Sequence, residues 1–135
     1  MIIFTTILLL LIVMVAGCEE ADDKEPGILG IWVFEYWDQN TSGKIYSRHD
    51  QFEEDKPGVQ FQSNGTLIER GNRIGCGTPP IIYTNYEGSW SYENDSTITI
   101  TSSFWGGVQN CELQILSLTV DTLKILWDCE DPDFN

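Results

Sequence analysis

The sequence predicts an all-β domain, a small antiparallel up-and-down β-barrel of about eight strands, and three observations carry that prediction. From Ile28 onward no window shows the apolar spacing of an amphipathic helix. Short alternating runs rich in β-branched and aromatic residues recur instead, separated by Gly, Asn, Asp and Pro. Asn64-Gly65, set between two such runs, is a tight-hairpin signal because both residues tolerate positive φ.

The expected strands cover residues 31–37, 45–52, 58–62, 66–70, 86–92, 97–102, 108–117 and 122–129. On the first, Trp32, Phe34 and Tyr36 share one side; Val59 and Phe61 do so on the third. Trp90 with Tyr92, then Ile98 with Ile100, repeat the pattern on strands five and six. Glu93-Asn94-Asp95-Ser96 and Thr119-Val120-Asp121 supply two further turns. Antiparallel pairing about Val120 sets Leu113 opposite Trp127, Ile115 opposite Ile125 and Cys111 opposite Cys129. Short hairpins at this spacing close most simply into a barrel or a related sandwich.

Ahead of the domain stands a different kind of segment. Ile2 to Val15 is apolar apart from Thr5 and Thr6, carries no charge, and is shorter than the ~20 residues of a membrane-spanning helix. Residues 1–17 therefore read as a secretory signal peptide, although no Lys or Arg precedes its apolar core. Val15-Ala16-Gly17-Cys18 resembles the lipobox of bacterial lipoproteins, which makes Cys18 the expected lipidation site and mature N-terminus. Stable anchoring takes more than one acyl chain, at ~0.8 kcal/mol per buried methylene, and palmitate is a typical acyl group for such a cysteine. Residues 18–27, with Glu19-Glu20-Ala21-Asp22-Asp23, are too charged to bury apolar surface and read as an acidic tether. Acidic residues directly after the lipidated cysteine also resemble the surface-export signal of Bacteroidetes lipoproteins. The expected address is the cell envelope, lipid-anchored at the outer membrane and facing the surface.

Residues 1–17 hold no charged side chain, so the whole formal charge of −14 falls on the remainder. A surface this acidic argues against nucleic acid or anionic lipid headgroups as partners. Residues 28–135 suffice for one small domain with one core, expected as a monomer.

Several motifs then point to a family. Gly30-Ile31-Trp32 at the start of the first strand is similar to the Gly-x-Trp signature of lipocalins. Val59-Gln60-Phe61, Asn64-Gly65-Thr66, Tyr86-Glu87-Gly88-Ser89-Trp90 and the run from Leu118 through Leu123 to Ile125 resemble lipocalin-like lipoproteins of Bacteroidetes. Gly75-Cys76-Gly77-Thr78-Pro79-Pro80 and Trp105-Gly106-Gly107 resemble a subset of them. The resemblance covers nearly all of residues 28–128 and implies a small barrel with an apolar or amphipathic ligand. One departure stands out: no arginine on the last strand is placed to stack on Trp32.

Chemistry-bearing residues are sparse. With Cys18 assigned to lipid, Cys76, Cys111 and Cys129 remain in an oxidising compartment. Strand register favours Cys111–Cys129, with Cys76–Cys111 as runner-up. The single histidine, His49, has nothing to tie it to a thiol, so no nucleophile–base pair emerges. Glu53-Glu54-Asp55 and the Asp128, Glu130, Asp131, Asp133 cluster lack the glycine and spacing of a calcium loop. No zinc spacing, phosphate loop or nucleophile elbow occurs. The chain thus reads as a binding protein rather than an enzyme, with no cofactor or metal. Its ligand-lining candidates are the inward aromatics Trp32, Phe34, Phe61, Trp90, Tyr92 and Trp127. The competing expectation is a filled barrel whose loops engage a protein as an interaction or inhibitor module.

Overall fold

A computed structural model describes residues 27–73, 77 and 79–130. Cys18, Cys76, the signal peptide and most of the tether lie outside the described residues. Eight strands follow the alternation: β1 (Gly30–Trp37), β2 (Lys44–His49), β3 (Gly58–Phe61), β4 (Thr66–Asn72), β5 (Tyr83–Asn94), β6 (Thr97–Phe104), β7 (Gly107–Leu118) and β8 (Thr122–Cys129). They close into one barrel of antiparallel neighbours, as the hairpin-rich sequence predicts. Closure leaves no sheet edge unpaired.

The neighbour order is β1-β2-β8-β7-β6-β5-β4-β3. β1 pairs with both β2 and β3, so β2 and β3 run in the same direction and residues 50–57 must return between them. Side chains on both sides hold this return. The Arg70 guanidinium donates to the carbonyls of Glu53 (3.0 Å) and Glu54 (2.7 Å), and Lys56 reaches Glu35 on β1 at 3.3 Å. Phe52 lies so close to Gly58 that a Cβ there would sit 2.9 Å from its ring and 2.7 Å from the Trp32 carbonyl oxygen, which explains the glycine.

From β3 to β8 every strand pairs with its successor, and the register matches the alternation. Leu113 faces Trp127, Ile115 faces Ile125 and Cys111 faces Cys129. A bulge between Ile115 and Ser117 shifts the last pairs, so that Leu118 faces Leu123. A second bulge, between Phe34 and Tyr36, corrects the expectation for β1. One extra residue reverses the side-chain phase. Trp32 and Phe34 point inward as expected, whereas Tyr36 turns out and is 60% exposed.

The barrel axis is filled by Trp32, Val59, Phe61, Leu67, Ile98, Leu113, Leu123 and Ile125, each almost wholly buried. At ~1.5–3 kcal/mol per fully buried large apolar side chain, this stack is the main stabilising term. Cys111 and Cys129 are joined by a disulfide across β7 and β8, their Cα atoms 4.0 Å apart, as the register predicts.

Candidate functional site

Two ends of the barrel differ in how they use the same materials, a cation and a tryptophan. On β2 the alternation turns Lys44, Tyr46 and Arg48 toward the interior. One end is approached by residues 27–29 and by the turns 62–65 and 119–121. There Arg48 lies over the Trp32 ring at 4.2 Å. Its guanidinium donates to three carbonyls: Gly27 (2.6 Å), Leu29 (2.6 Å) and Val120 (2.7 Å). The Trp32 indole Nε1 donates to the Ile28 carbonyl at 2.7 Å. Gly30 makes this possible. Its φ of +121° suits glycine, and a Cβ there would stand 2.8 Å from the Arg48 guanidinium. The Gly-x-Trp motif thus acquires a physical meaning, and the arginine absent from the last strand is supplied by β2 beside it. Every polar group named here has a partner. This end is closed.

The opposite end bears the turns 38–43 and 105–106 and the segment from β4 to β5. Lys44 stands here between two indoles, its Nζ 5.1 Å from the Trp37 ring and 4.6 Å from the Trp127 ring. A cation over an aromatic face is stabilised electrostatically, but the ring accepts no conventional hydrogen bond. Among the described residues Lys44 has no acceptor within hydrogen-bond or ion-pair distance. Burial holds its ammonium below the ordinary lysine range, with Glu69 opposing that effect from across the interior.

Glu69 on β4 faces inward beyond Leu67. Its carboxylate accepts a 2.5 Å hydrogen bond from the Ser102 hydroxyl, and burial outweighs this bond to push the carboxyl above its usual range. Burial also pushes the Tyr46 phenol up, with Glu69 adding to the effect. The Trp127 indole N–H faces the Tyr46 phenol oxygen and offsets a small part of that rise. Yet the Trp127 Nε1 is buried and makes no hydrogen bond of acceptable geometry. Phe34 packs edge-on against Tyr46 at 5.8 Å and against Trp37 at 6.1 Å.

The six aromatic candidates fall into distinct places. Trp32 and Phe61 are sealed in the core, at 0% and 1% exposure. Trp90 packs edge-on against Phe61 at 5.3 Å and donates its Nε1 to the Gln62 carbonyl at 2.9 Å. Tyr92 continues that row at 5.5 Å and is half exposed. Phe34 and Trp127 alone join the charged group around Lys44 and Glu69. Sequence reasoning missed Lys44, Tyr46, Glu69 and Ser102, although alternation on β2, β4 and β6 places all four on inward positions.

Two other constellations of polar side chains lie on the outer surface. On the outer face of β2, Ser47 Oγ lies 2.9 Å from His49 Nε2, and His49 Nδ1 lies 3.6 Å from Glu53. Ser47 donates to Glu35 at 2.5 Å, and in this arrangement its oxygen is the acceptor toward His49. The second is a groove of about 430 Å³ on the outer face of β6–β8, flanked by Thr101, Asn110, Glu112, Asp128 and Glu130. No cluster able to hold a metal ion occurs among the described residues.

The lipocalin-like domain family matches residues 28–125, which span the barrel from the closing Ile28 to the core residue Ile125. Neither a curated protein nor a solved structure matches the chain. With most of its length covered by that match and its barrel closed at the Gly-x-Trp end, the chain belongs to the lipocalin-like domain family.

Proposed function

We propose that this chain is a lipid-anchored envelope lipoprotein of the Bacteroidetes type, whose barrel binds a small amphipathic molecule at its open end. One observation carries the binding reading: the open end combines two partly desolvated ionisable groups, Lys44 and Glu69, with the indoles of Trp37 and Trp127. Buried charges without close partners destabilise a fold, so they are retained where something else uses them. The reading is of a binding protein and not an enzyme, since the only serine–histidine pair has its proton turned the wrong way.

The anchor at Cys18 rests on the lipobox and the apolar run before it. The Cys111–Cys129 bridge supports an oxidising compartment. Gly27 is held by Arg48 at the closed end, so a tether leading from it to Cys18 would set that end toward the membrane and the open end outward.

A second reading has its own support. The barrel axis is packed from Trp32 to Ile125, and Trp37, Trp105, Val108 and Ile82 stand exposed outside it. An interaction module with a filled barrel would use such side chains on a protein partner. Native mass spectrometry of protein purified from its own membrane separates the two. A co-purifying small molecule supports the first reading, and a ligand-free protein retained only with another protein supports the second. For the anchor, labelled fatty acid is expected to enter the wild type and not Cys18→Ser; equal incorporation would overturn it.

A further inference from the structure

We infer that the molecule bound at the open end is an anionic amphiphile that enters head first, its charged group on Lys44 and Trp127 and its apolar body toward the rim. The inference rests on the binding reading above and adds the ligand's charge and orientation.

Among the described residues, Arg48 is committed to three carbonyls, Arg70 to two carbonyls and Asn85, Lys56 to Glu35 and Glu53, and Lys124 to Asp38. Arg73 is exposed to solvent. Lys44 alone is both half-buried and without an acceptor, touching only two aromatic faces. The neighbouring Trp127 Nε1 is a second, poorly satisfied donor: it faces the Tyr46 phenol oxygen without good hydrogen-bond geometry. The unmet capacity here is therefore donor capacity. Glu69, the inward carboxyl among the described residues, accepts from Ser102 and is attracted by Lys44 from beyond hydrogen-bond reach. Burial favours its protonated form, so it does not call for a cationic ligand. What completes this set is an acceptor, and a negatively charged one serves Lys44 best.

Orientation follows from packing. Beyond Lys44 the axis is occupied by Leu113, Ile98, Ile125 and Leu67, which are fully buried and leave no path for a long tail. Outward, Trp37, the β1 partner of Lys44, is 57% exposed at the rim. An apolar body is accommodated there. The polar group goes in.

The test uses three ligands with one tail: dodecanoate, dodecanol and dodecylammonium, each titrated below its micellar concentration into the soluble domain and into Lys44→Met. Circular dichroism confirms that the variant is folded. Dodecanoate is expected to bind the wild type about ten- to a hundredfold tighter than dodecanol, the range of a hydrogen bond to a charged group. In Lys44→Met that preference should vanish while dodecanol binding stays. Equal affinity for all three, or tightest binding of dodecylammonium, overturns the charge assignment and leaves amphiphile binding intact. Absence of binding by all three overturns both.

Discussion

The two cation–tryptophan pairs of β2 lie four residues apart and serve opposite ends. Arg48 over Trp32 is saturated: a planar guanidinium bridges three carbonyls contributed by the N-terminal segment and the β7–β8 turn. Lys44 between Trp37 and Trp127 is unsaturated: its ammonium has rings on two sides and no acceptor. Arginine suits the first place because its fork presents several donors at once, and lysine suits the second because its compact charge remains available. The difference teaches that the closed end is built for stability and the open end at some expense to it.

Substitutions should separate the two ends by sign. Arg48→Met removes the donor from three carbonyls and should destabilise by about 3 kcal/mol, as expected for hydrogen bonds to a charged group. Urea denaturation measures it; a loss below a few tenths of a kcal/mol would erase the distinction between the ends. Next in size is the disulfide. Cys111 and Cys129 are 18 residues apart, and opening a loop of about that length should cost ~2–3 kcal/mol, read as a lowered denaturation midpoint in reductant.

At the open end the sign reverses. Burial raises the Glu69 carboxyl above its ordinary 4.5, so the folded state holds a proton more tightly than the unfolded chain. Its contribution is then fully present below the unfolded value and is lost as pH rises through the raised folded value. Glu69→Gln should flatten that decline and leave the protein about 1 kcal/mol more stable at neutral pH, provided that the amide keeps the Ser102 contact. The smallest effect is expected for Lys44→Met. Its ammonium is held below the ordinary 10.5, so the charged form burdens the fold at every pH beneath that lowered value. An isosteric apolar side chain should raise stability by a few tenths of a kcal/mol to about 1 kcal/mol while weakening ligand binding.

Most of the fold was legible because alternation and turn chemistry are local. Leu113/Trp127 and Cys111/Cys129 match a count outward from Val120 because of the bulge between Ile115 and Ser117, which lies between the turn and these pairs. It offsets the one-residue shift at the turn, where Leu118 faces Leu123. Tyr36 was misplaced because a single-residue bulge at Glu35 leaves no mark on composition yet inverts every side chain after it. The placement of β3 beside β1 was equally hidden, since nothing in residues 50–57 distinguishes a hairpin from a return across a strand. For the site, attention to aromatic residues found Phe34 and Trp127 and passed over Lys44 and Glu69. Both lie in the alternation of their strands, but a charged residue at an inward position is indistinguishable by pattern from one at a frayed strand end. Only their closure into a common interior, by pairing between distant strands, gives them neighbours.

The central claim, that ligand meets the open end and leaves the closed end undisturbed, is tested most directly by the five indole N–H resonances in a ¹H–¹⁵N spectrum. Trp32 and Trp90 donate to the Ile28 and Gln62 carbonyls, whereas the Trp127 N–H makes no hydrogen bond of good geometry. Titration with dodecanoate should move the Trp127 and Trp37 signals, with Trp127 shifting downfield as its N–H gains an acceptor, and should leave Trp32 and Trp90 in place. Movement of Trp32 or Trp90 with Trp127 unchanged, or no movement of any indole, would contradict the account.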